Sequence, residues 1–269
     1  MKKFLGILVA MMLVIGFAGQ ASAYFEDYSL LRFVFQSGTA VPNEWGTDLG
    51  VDTTSTGVSS YGLVGDLLAA SNFTDMSQVK VSYWAKENAS PNPAQYWITG
   101  GYNDGDGLTL TGGKATNLNT ATDAVTGSTY GYGKYGTSTV VLAKSSTYSH
   151  YYNIEKNTDS SIGGFANSLK VPPGKEATIS LADLTGPTHE VWSSLYYFNY
   201  KNAELVGTLV AYIRTYMTAG ADGDYTTLAD NFIGTEIRAV PVPAAVWLLG
   251  SGLMALFGIR RKSISRYFA

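Results

Sequence analysis

Between residues 24 and 239, short apolar runs alternate with polar clusters rich in Gly, Asn, Asp, Ser and Thr. Apolar residues at every second position indicate strands, because successive side chains of a strand point to opposite faces of the sheet. Long stretches with the 3.6-residue period of an amphipathic helix are missing. The pattern therefore predicts an all-β body with strands at residues 28–36, 78–85, 94–101, 138–143, 150–155, 177–181, 191–200 and 206–217.

The clearest alternation lies in residues 206–217, where Ala211, Ile213 and Thr215 share one face and Tyr212 and Arg214 the other. Residues 191–200 alternate in the same way, and a connection of hairpin length separates the two segments. We therefore expect them to pair as an antiparallel hairpin.

About eight short strands joined by polar turns predict an antiparallel β-sandwich, of which a jelly roll is one form. Residues 61–70 are the one helical candidate, although two glycines weaken it. Residues 103–136 have few large apolar residues, which favours a long loop or loosely paired strands at one end of the sandwich.

Both ends of the chain differ from this body. Residues 1–23 combine Lys2 and Lys3, an apolar run and an Ala21-Ser22-Ala23 ending. These are the three parts of a secretory signal peptide, so we expect signal peptidase as a partner and cleavage between Ala23 and Tyr24. An uncleaved membrane anchor is the alternative.

The C-terminal segment has an uncharged stretch at residues 244–259 followed by three consecutive cations. Its length approaches that of a membrane-spanning helix, since ~1.5 Å per residue must cross ~30 Å of hydrocarbon. The cations stand at the expected cytoplasmic end, which leaves residues 263–269 as a cytoplasmic tail and turns the body outward. The prolines before the helix predict a stiff, accessible linker.

Specific residues in this segment resemble the PEP-CTERM sorting signal, which exosortase-type enzymes process in Gram-negative bacteria that make extracellular polysaccharide. The resemblance covers residues 240–262, and Val242 stands where the namesake glutamate is expected. It implies tail removal near the Pro-x-Pro segment, a transient stay in the inner membrane, and delivery to the cell surface or a biofilm matrix. An ordinary, uncut membrane anchor is the alternative. The matching residues are Pro241, Val242, Pro243, Trp247, Gly250, Ser251, Gly252, Arg260, Arg261 and Lys262.

The charge of the whole chain, −3, conceals an asymmetry. Six of the 18 basic residues lie in the termini, whereas all 21 acidic residues lie between Glu26 and Glu236, so the body has 12 basic residues and a net charge of −9. Phosphate backbones repel such a body, which argues against nucleic acid as a partner. Cysteine is absent, which excludes disulfides and thiolate zinc sites.

Two pairs of carboxylates lie on glycine-containing turns, Asp104 with Asp106 and Asp222 with Asp224. Oxygen ligands of this kind can bind Ca²⁺, so each pair is a candidate structural calcium site. Neither matches an EF-hand loop, and Asp and Gly are also ordinary turn residues. No other cofactor is expected.

Sequence motifs for catalysis are scarce. The chain has two histidines, His150 and His189, in none of the zinc-hydrolase spacings, and the body has no Gly-x-Ser-x-Gly elbow. A pair of carboxylates for glycoside hydrolysis is neither excluded nor supported. We expect no catalytic residues.

An aromatic row is the candidate binding site. Tyr212, Arg214 and Tyr216 share one face of their strand, and Tyr197 or Tyr200 of the neighbouring strand can extend it. Such rows stack on sugar rings, although Tyr is also an ordinary strand residue. The leading hypothesis is a non-enzymatic surface or matrix protein that binds extracellular polysaccharide. A secreted polysaccharide-acting enzyme and a permanently anchored surface protein are the alternatives.

Overall fold

In a computed structural model, residues 25, 28–87, 95–101, 109–110, 125, 131–151, 169–170, 178–199 and 207–240 are described. The chain divides into two units, residues 1–238 and residues 239–269. The body is all-β and antiparallel, as the alternation predicts. Its strands are β1 Ser29–Gln36, β2 Asn43–Thr54, β3 Gly57–Val58, β4 Gly62–Ala69, β5 Val79–Lys86, β6 Gln95–Gly101, β7 Thr109–Leu110, β8 Thr139–Ala143, β9 Leu169–Lys170, β10 Thr178–Ser180, β11 Glu190–Asn199, β12 Thr208–Thr218 and β13 Phe232–Ala239.

Eleven of these strands form one curled antiparallel sheet in the order β3-β2-β1-β5-β6-β11-β12-β13-β4. Strand β8 pairs with β2, and β10 pairs with β5, outside this path. Strands β7 and β9 form a separate two-stranded sheet. The curl brings β4 against β2. The two backbones lie so close that a Cβ added at Gly65 of β4 would be 3.2 Å from Cα of Leu49 on β2.

The inner face of the curled sheet carries the larger apolar cluster, which includes Val34, Val81, Ile213 and Ile237. Buried polar side chains join strands across this interior. Nη1 of Arg32 donates to Oγ1 of Thr235 at 3.1 Å, and the Tyr83 and Thr215 hydroxyls lie 2.7 Å apart. These bonds connect β1 and β5 with β12 and β13, which are far apart in the strand order, so they hold the curl.

A second apolar cluster covers the outer face of β1, β5, β6 and β11. Phe33 stacks on Trp84 with ring centroids 5.4 Å apart. Tyr132 packs edge-on against Phe33 at 5.1 Å. The outer face of this half of the sheet is therefore covered by residues from the segment around 131–151.

Seven of the predicted strands match observed strands to within two residues at each end. The expected hairpin is also confirmed, because β11 pairs antiparallel with β12, with a register shift between Leu195 and Tyr196. The helical alternative for residues 61–70 is wrong, since β4 occupies that segment. Strands β2, β3, β9 and β13 were not predicted. The prediction at 150–155 lies outside the described residues except for His150 and Tyr151, which are not in a strand.

Candidate functional site

Strand β12 carries the predicted row on its outer face. Tyr212, Arg214 and Tyr216 are half-buried, whereas the intervening Ile213 and Thr215 are buried in the interior. The inner residues hold the strand in place by packing, and period-two alternation then directs the other three side chains outward. The structure therefore brings this part of the predicted site together.

Neighbouring strands add residues that were not predicted. On β11, Trp192 lies opposite Arg214 and Glu190 lies opposite Tyr216. On β13, Glu236 and Arg238 reach the same face. We call these residues together with the β12 row the outer face of β11–β13. Only strand pairing identifies this set, because its members are separated along the chain.

Two glutamates and two arginines form an alternating ionic ladder across the outer face. Nε of Arg214 lies 2.5 Å from Oε2 of Glu190, and its Nη1 lies 2.6 Å from Oε2 of Glu236. Nε of Arg238 lies 2.8 Å from Oε1 of Glu236. Two positive and two negative charges thus leave the ladder neutral overall.

Hydrogen bonds set the pKa directions in this ladder. The pKa of Glu190 is lowered, first by the hydrogen bond from Trp192 and then by Arg214. The pKa of Glu236 is lowered, first by the hydrogen bond from Arg238. The pKa of Arg214 is raised, first by its bond to Glu236. All the carboxylates and guanidinium groups of the ladder are therefore charged at neutral pH.

Aromatic rings lie beside this ladder. The Arg238 guanidinium lies 4.8 Å from the Trp192 ring centroid, and that of Arg214 lies 5.1 Å from the Tyr216 centroid. Nε1 of Trp192 donates to Oε1 of Glu190 at 2.9 Å. Gly234 leaves room for the Tyr216 ring, because an added Cβ would lie 2.4 Å from Cζ of that ring. The rings are thus held in defined positions by charge and by packing.

Tyr197 does not join this face. It packs with the interior cluster on the opposite side of the sheet, with its ring centroid 5.3 Å from that of Trp97. The alternation of β11 explains the separation, since Trp192 and Tyr197 differ by an odd number of residues. Tyr200 lies outside the described residues.

The carboxylates of Asp222 and Asp224 accept hydrogen bonds from their own turn. Oδ1 of Asp222 accepts from the Asp224 N–H at 2.9 Å. Oδ1 of Asp224 accepts from the Thr226 N–H at 2.7 Å, and this bond is the first cause of the lowered pKa of Asp224. Within the ranges that the structure describes, no three His, Cys, Asp or Glu side chains gather to hold a metal. Asp104 and Asp106 lie outside those ranges.

A buried polar centre on β2 was missed by sequence inspection. The Glu44 carboxylate accepts from the Tyr132 hydroxyl at 2.6 Å and from the N–H groups of His150 and Tyr151 at 2.5 and 2.7 Å. Burial raises the pKa of Glu44 to about 7, against the opposing effect of these hydrogen bonds. Glu44 is fully buried. Its three hydrogen bonds attach residues 132–151 to β2 of the sheet.

His150 lies next to this centre and is also fully buried. Its ring stacks on Phe33 at 4.7 Å, and Nδ1 accepts from Nε1 of Trp84 at 3.4 Å. Among the described residues Nε2 has no hydrogen-bond partner, and desolvation lowers the pKa of His150 to about 3. The imidazole is therefore neutral at physiological pH. The sequence gives no signal for this centre, because Glu44 and His150 both stand among polar residues and are 106 residues apart.

The residues predicted for signal cleavage and tail sorting, namely Ala21, Ala23, Tyr24 and those from Pro241 to Lys262, lie outside the described residues. In the part of the chain that is described, no helix is long and apolar enough to cross a membrane. No family model, curated protein or solved structure matches this chain.

Proposed function

We propose that this chain is an exported, non-enzymatic surface or matrix protein that binds extracellular polysaccharide through the outer face of β11–β13. A signal peptide would direct export, and an exosortase-type enzyme would remove the tail around Pro241–Pro243. The observation that carries the binding proposal is the ordered aromatic and ionic surface formed by Trp192, Tyr212 and Tyr216 with the ladder. The export route rests on the sequence of the two ends.

The chemistry of this face suits a sugar chain. Aromatic rings stack on the apolar faces of pyranose rings, while carboxylates and guanidinium groups exchange hydrogen bonds with hydroxyls. Tyr212 and Tyr216 are four residues apart on one strand, which corresponds to roughly 13 Å, and Trp192 lies one strand away, at about 4.8 Å. These separations suit several consecutive sugar units of a polymer better than one monosaccharide.

The charge balance favours a neutral polymer. Both arginines already have carboxylate partners, so an anionic sugar would have to displace Glu190 or Glu236. The body carries a net charge of −9, which repels polyanions at long range. We therefore propose a polysaccharide without carboxylate or sulfate groups.

We also propose that the curled sheet forms a two-layered sandwich of jelly-roll type. Support comes from the hydrogen bonds of Tyr83 on β5 to Thr215 and Thr235 on β12 and β13. They bring inner faces from two parts of the sheet into contact, as two layers would.

Affinity gel electrophoresis tests the binding proposal. The protein isolated from cells is run through gels that contain mixed-linkage β-glucan, galactomannan or anionic alginate. We expect retardation by a neutral polymer and weaker retardation by alginate. Tyr212→Ala and Tyr216→Ala should each raise the Kd about two- to tenfold, as expected for the loss of one aromatic contact of about 0.5–1.5 kcal/mol.

Tyr135→Ala is the matched control, because Tyr135 is exposed at a site remote in sequence from β11–β13. It should leave the retardation unchanged. Absence of retardation by every polymer, or equal losses in all three variants, contradicts the proposal. Release of reducing ends from any of these polymers would instead support the secreted-enzyme alternative.

Intact mass tests the export route. Protein taken from the cell surface should begin at Tyr24 and end near Pro241–Pro243. A mass that includes residues beyond Lys262 would rule out tail removal and support the permanently anchored alternative.

A further inference from the structure

An exposed apolar stripe borders the outer face of β11–β13. Strand β4 pairs antiparallel with β13, and Leu63 lies directly opposite Glu236 of the ionic ladder. Ala69 lies opposite Phe232, so Leu67, two residues before Ala69, is a diagonal neighbour of Phe232. Leu63, Leu67 and Phe232 are 72%, 53% and 40% exposed. We call these three residues the apolar margin.

The apolar margin lies on the same side of the sheet as the ionic ladder. Opposite residues of paired strands point to the same face, so Leu63 points to the side of Glu236. Phe232 and Glu236 are four residues apart on β13, and alternation places both on the outer face. The Phe232 carbonyl accepts from Oγ1 of Thr218 at 3.4 Å, and Thr218 is two residues from Tyr216. The margin is therefore continuous with the aromatic and ionic surface.

The apolar character of this margin restricts what it can bind. Single exposed apolar side chains are common, whereas a group of neighbouring ones indicates a binding surface. Half of the six large apolar side chains that are exposed among the described residues belong to the margin. A sugar hydroxyl held against a leucine loses hydrogen bonds to water and finds no other partner there. A methyl-bearing group instead gains free energy by leaving water.

The size of the margin favours a small group over a protein surface. Its three residues expose on the order of 300 Å² of apolar area. A stable protein interface takes about 800 Å² from each partner. A second copy of this chain would need contacts well beyond the margin, whereas small apolar groups on a polymer held by the adjoining face fit within it.

Arg238 lies beside the margin and adds a polar contact. It is two residues from Glu236 on β13, which makes it a diagonal neighbour of Leu63. Nε and Nη2 of Arg238 donate to Glu236 at 2.8 and 3.2 Å, which uses two of the five N–H groups of a guanidinium. In the described part of the chain, the other three N–H groups of this exposed side chain have no acceptor. An acyl ester carries a carbonyl oxygen beside its alkyl group, so Arg238 and Leu63 suit its two halves.

We propose that the neutral polysaccharide bound by the outer face of β11–β13 carries acyl esters, such as O-acetyl groups, and that the apolar margin binds them. This inference rests on the proposed polysaccharide binding and narrows its substrate class. It makes the ester substituent, and not only the sugar backbone, part of what the protein recognises.

Affinity gel electrophoresis with two forms of one polymer tests the proposal. Mixed-linkage β-glucan is used untreated and after acetylation to a low degree of substitution. The Kd of the protein isolated from cells should be about three- to tenfold lower for the acetylated glucan, as expected for burying one or two methyl-sized groups. Mild alkali hydrolyses the esters to hydroxyls and acetate, and this treatment should restore the Kd of the untreated glucan.

A double variant assigns the preference to the margin. Leu63→Ala combined with Leu67→Ala should reduce the preference to less than about twofold, and its Tm should stay close to that of the wild type because both side chains are exposed. Val141→Ala is the matched control, because Val141 is 49% exposed on β8, which pairs with β2. It should leave the preference unchanged. Tyr216→Ala should weaken the retention of both glucans.

The outcomes separate this inference from the proposed function. Equal Kd values of the wild type for the two glucans overturn the inference, and polysaccharide binding still stands if Tyr216→Ala weakens both. A preference that persists in the double variant also overturns it. Absence of retardation by either glucan overturns the binding proposal and this inference together. Sedimentation velocity adds a last check, because a wild-type dimer that becomes a monomer in the double variant would show that a second copy covers the margin.

Discussion

Replacing Glu44 with glutamine tests whether a buried carboxylate limits the stability of this fold at neutral and higher pH. Glu44 lies at the centre of three hydrogen bonds, from Tyr132, His150 and Tyr151. Burial raises its pKa from 4.5 to about 7. The folded protein therefore retains a proton on Glu44 in a pH range where the unfolded chain has lost it.

The sign and size follow from proton linkage. Because the folded-state pKa is the higher one, the stabilisation is fully present below about pH 4.5 and is lost as the pH rises through about 7. The pKa difference corresponds to about 3 kcal/mol at ~1.36 kcal/mol per unit. Glutamine does not titrate, so Glu44→Gln lacks this dependence, although its amide places a donor where a carboxylate oxygen accepted.

Urea unfolding at several pH values between 4.5 and 8 measures this effect. The unfolding free energy of the wild type minus that of Glu44→Gln should fall by about 3 kcal/mol across this range. Contributions common to both proteins cancel. Glu190→Gln is the control with the opposite sign, since the pKa of Glu190 is lowered and its contribution is lost as the pH falls. A flat difference for Glu44→Gln would refute the argument that burial penalises its charge.

Three further predictions concern packing and charge. Leu67→Ala should change the unfolding free energy by less than about 0.5 kcal/mol, because Leu67 is 53% exposed. Leu68→Ala should lower it by about 2–5 kcal/mol, because Leu68 is 5% exposed. Equal losses in urea unfolding would show that the assigned faces of β4 are wrong. Gly234→Ala should lower stability by about 1–3 kcal/mol and weaken polysaccharide retention, since the new Cβ displaces the Tyr216 ring; an unchanged Tm and Kd would contradict this contact. The wild type should lose about 2 kcal/mol of unfolding free energy between pH 6.5 and pH 5, because the unfolded chain binds a proton on His150 that the folded state cannot bind. His150→Phe should not show this loss. Parallel pH dependences of the unfolding free energy for variant and wild type would argue against a buried neutral imidazole.

Alternation describes best the strands that have one buried and one half-exposed face. In β12, Ile213 and Thr215 are inside and Tyr212 is outside, as the pattern requires. The prediction failed where apolar character and burial disagree. On β4, Leu63 is 72% exposed, and on β2 the polar Glu44 is fully buried. Burial depends on which residues pack over a strand. Glu44 is covered by residues that are about 90 to 110 positions away in the chain.

Part of the candidate site could be predicted from the sequence and part could not. Tyr212, Arg214 and Tyr216 share a face because of the local period of one strand. Trp192 and Glu236 join them only through the pairing of β11 and β13 with β12. Tyr197 was assigned to the same face, but its position on β11 directs it into the interior.

Sequence alone determined the local properties of this protein: the alternation that produces an all-β body, the acidic balance of that body, and the expectation that both ends are export segments. Tertiary structure decided which charges lose their contact with water and which find a partner. Arg32, Asp48, Glu44 and His150 are all buried, yet each meets a different set of neighbours. A charged group responds to the solvent and partners within a few ångströms, and those are supplied by strand pairing between residues that are distant in the chain.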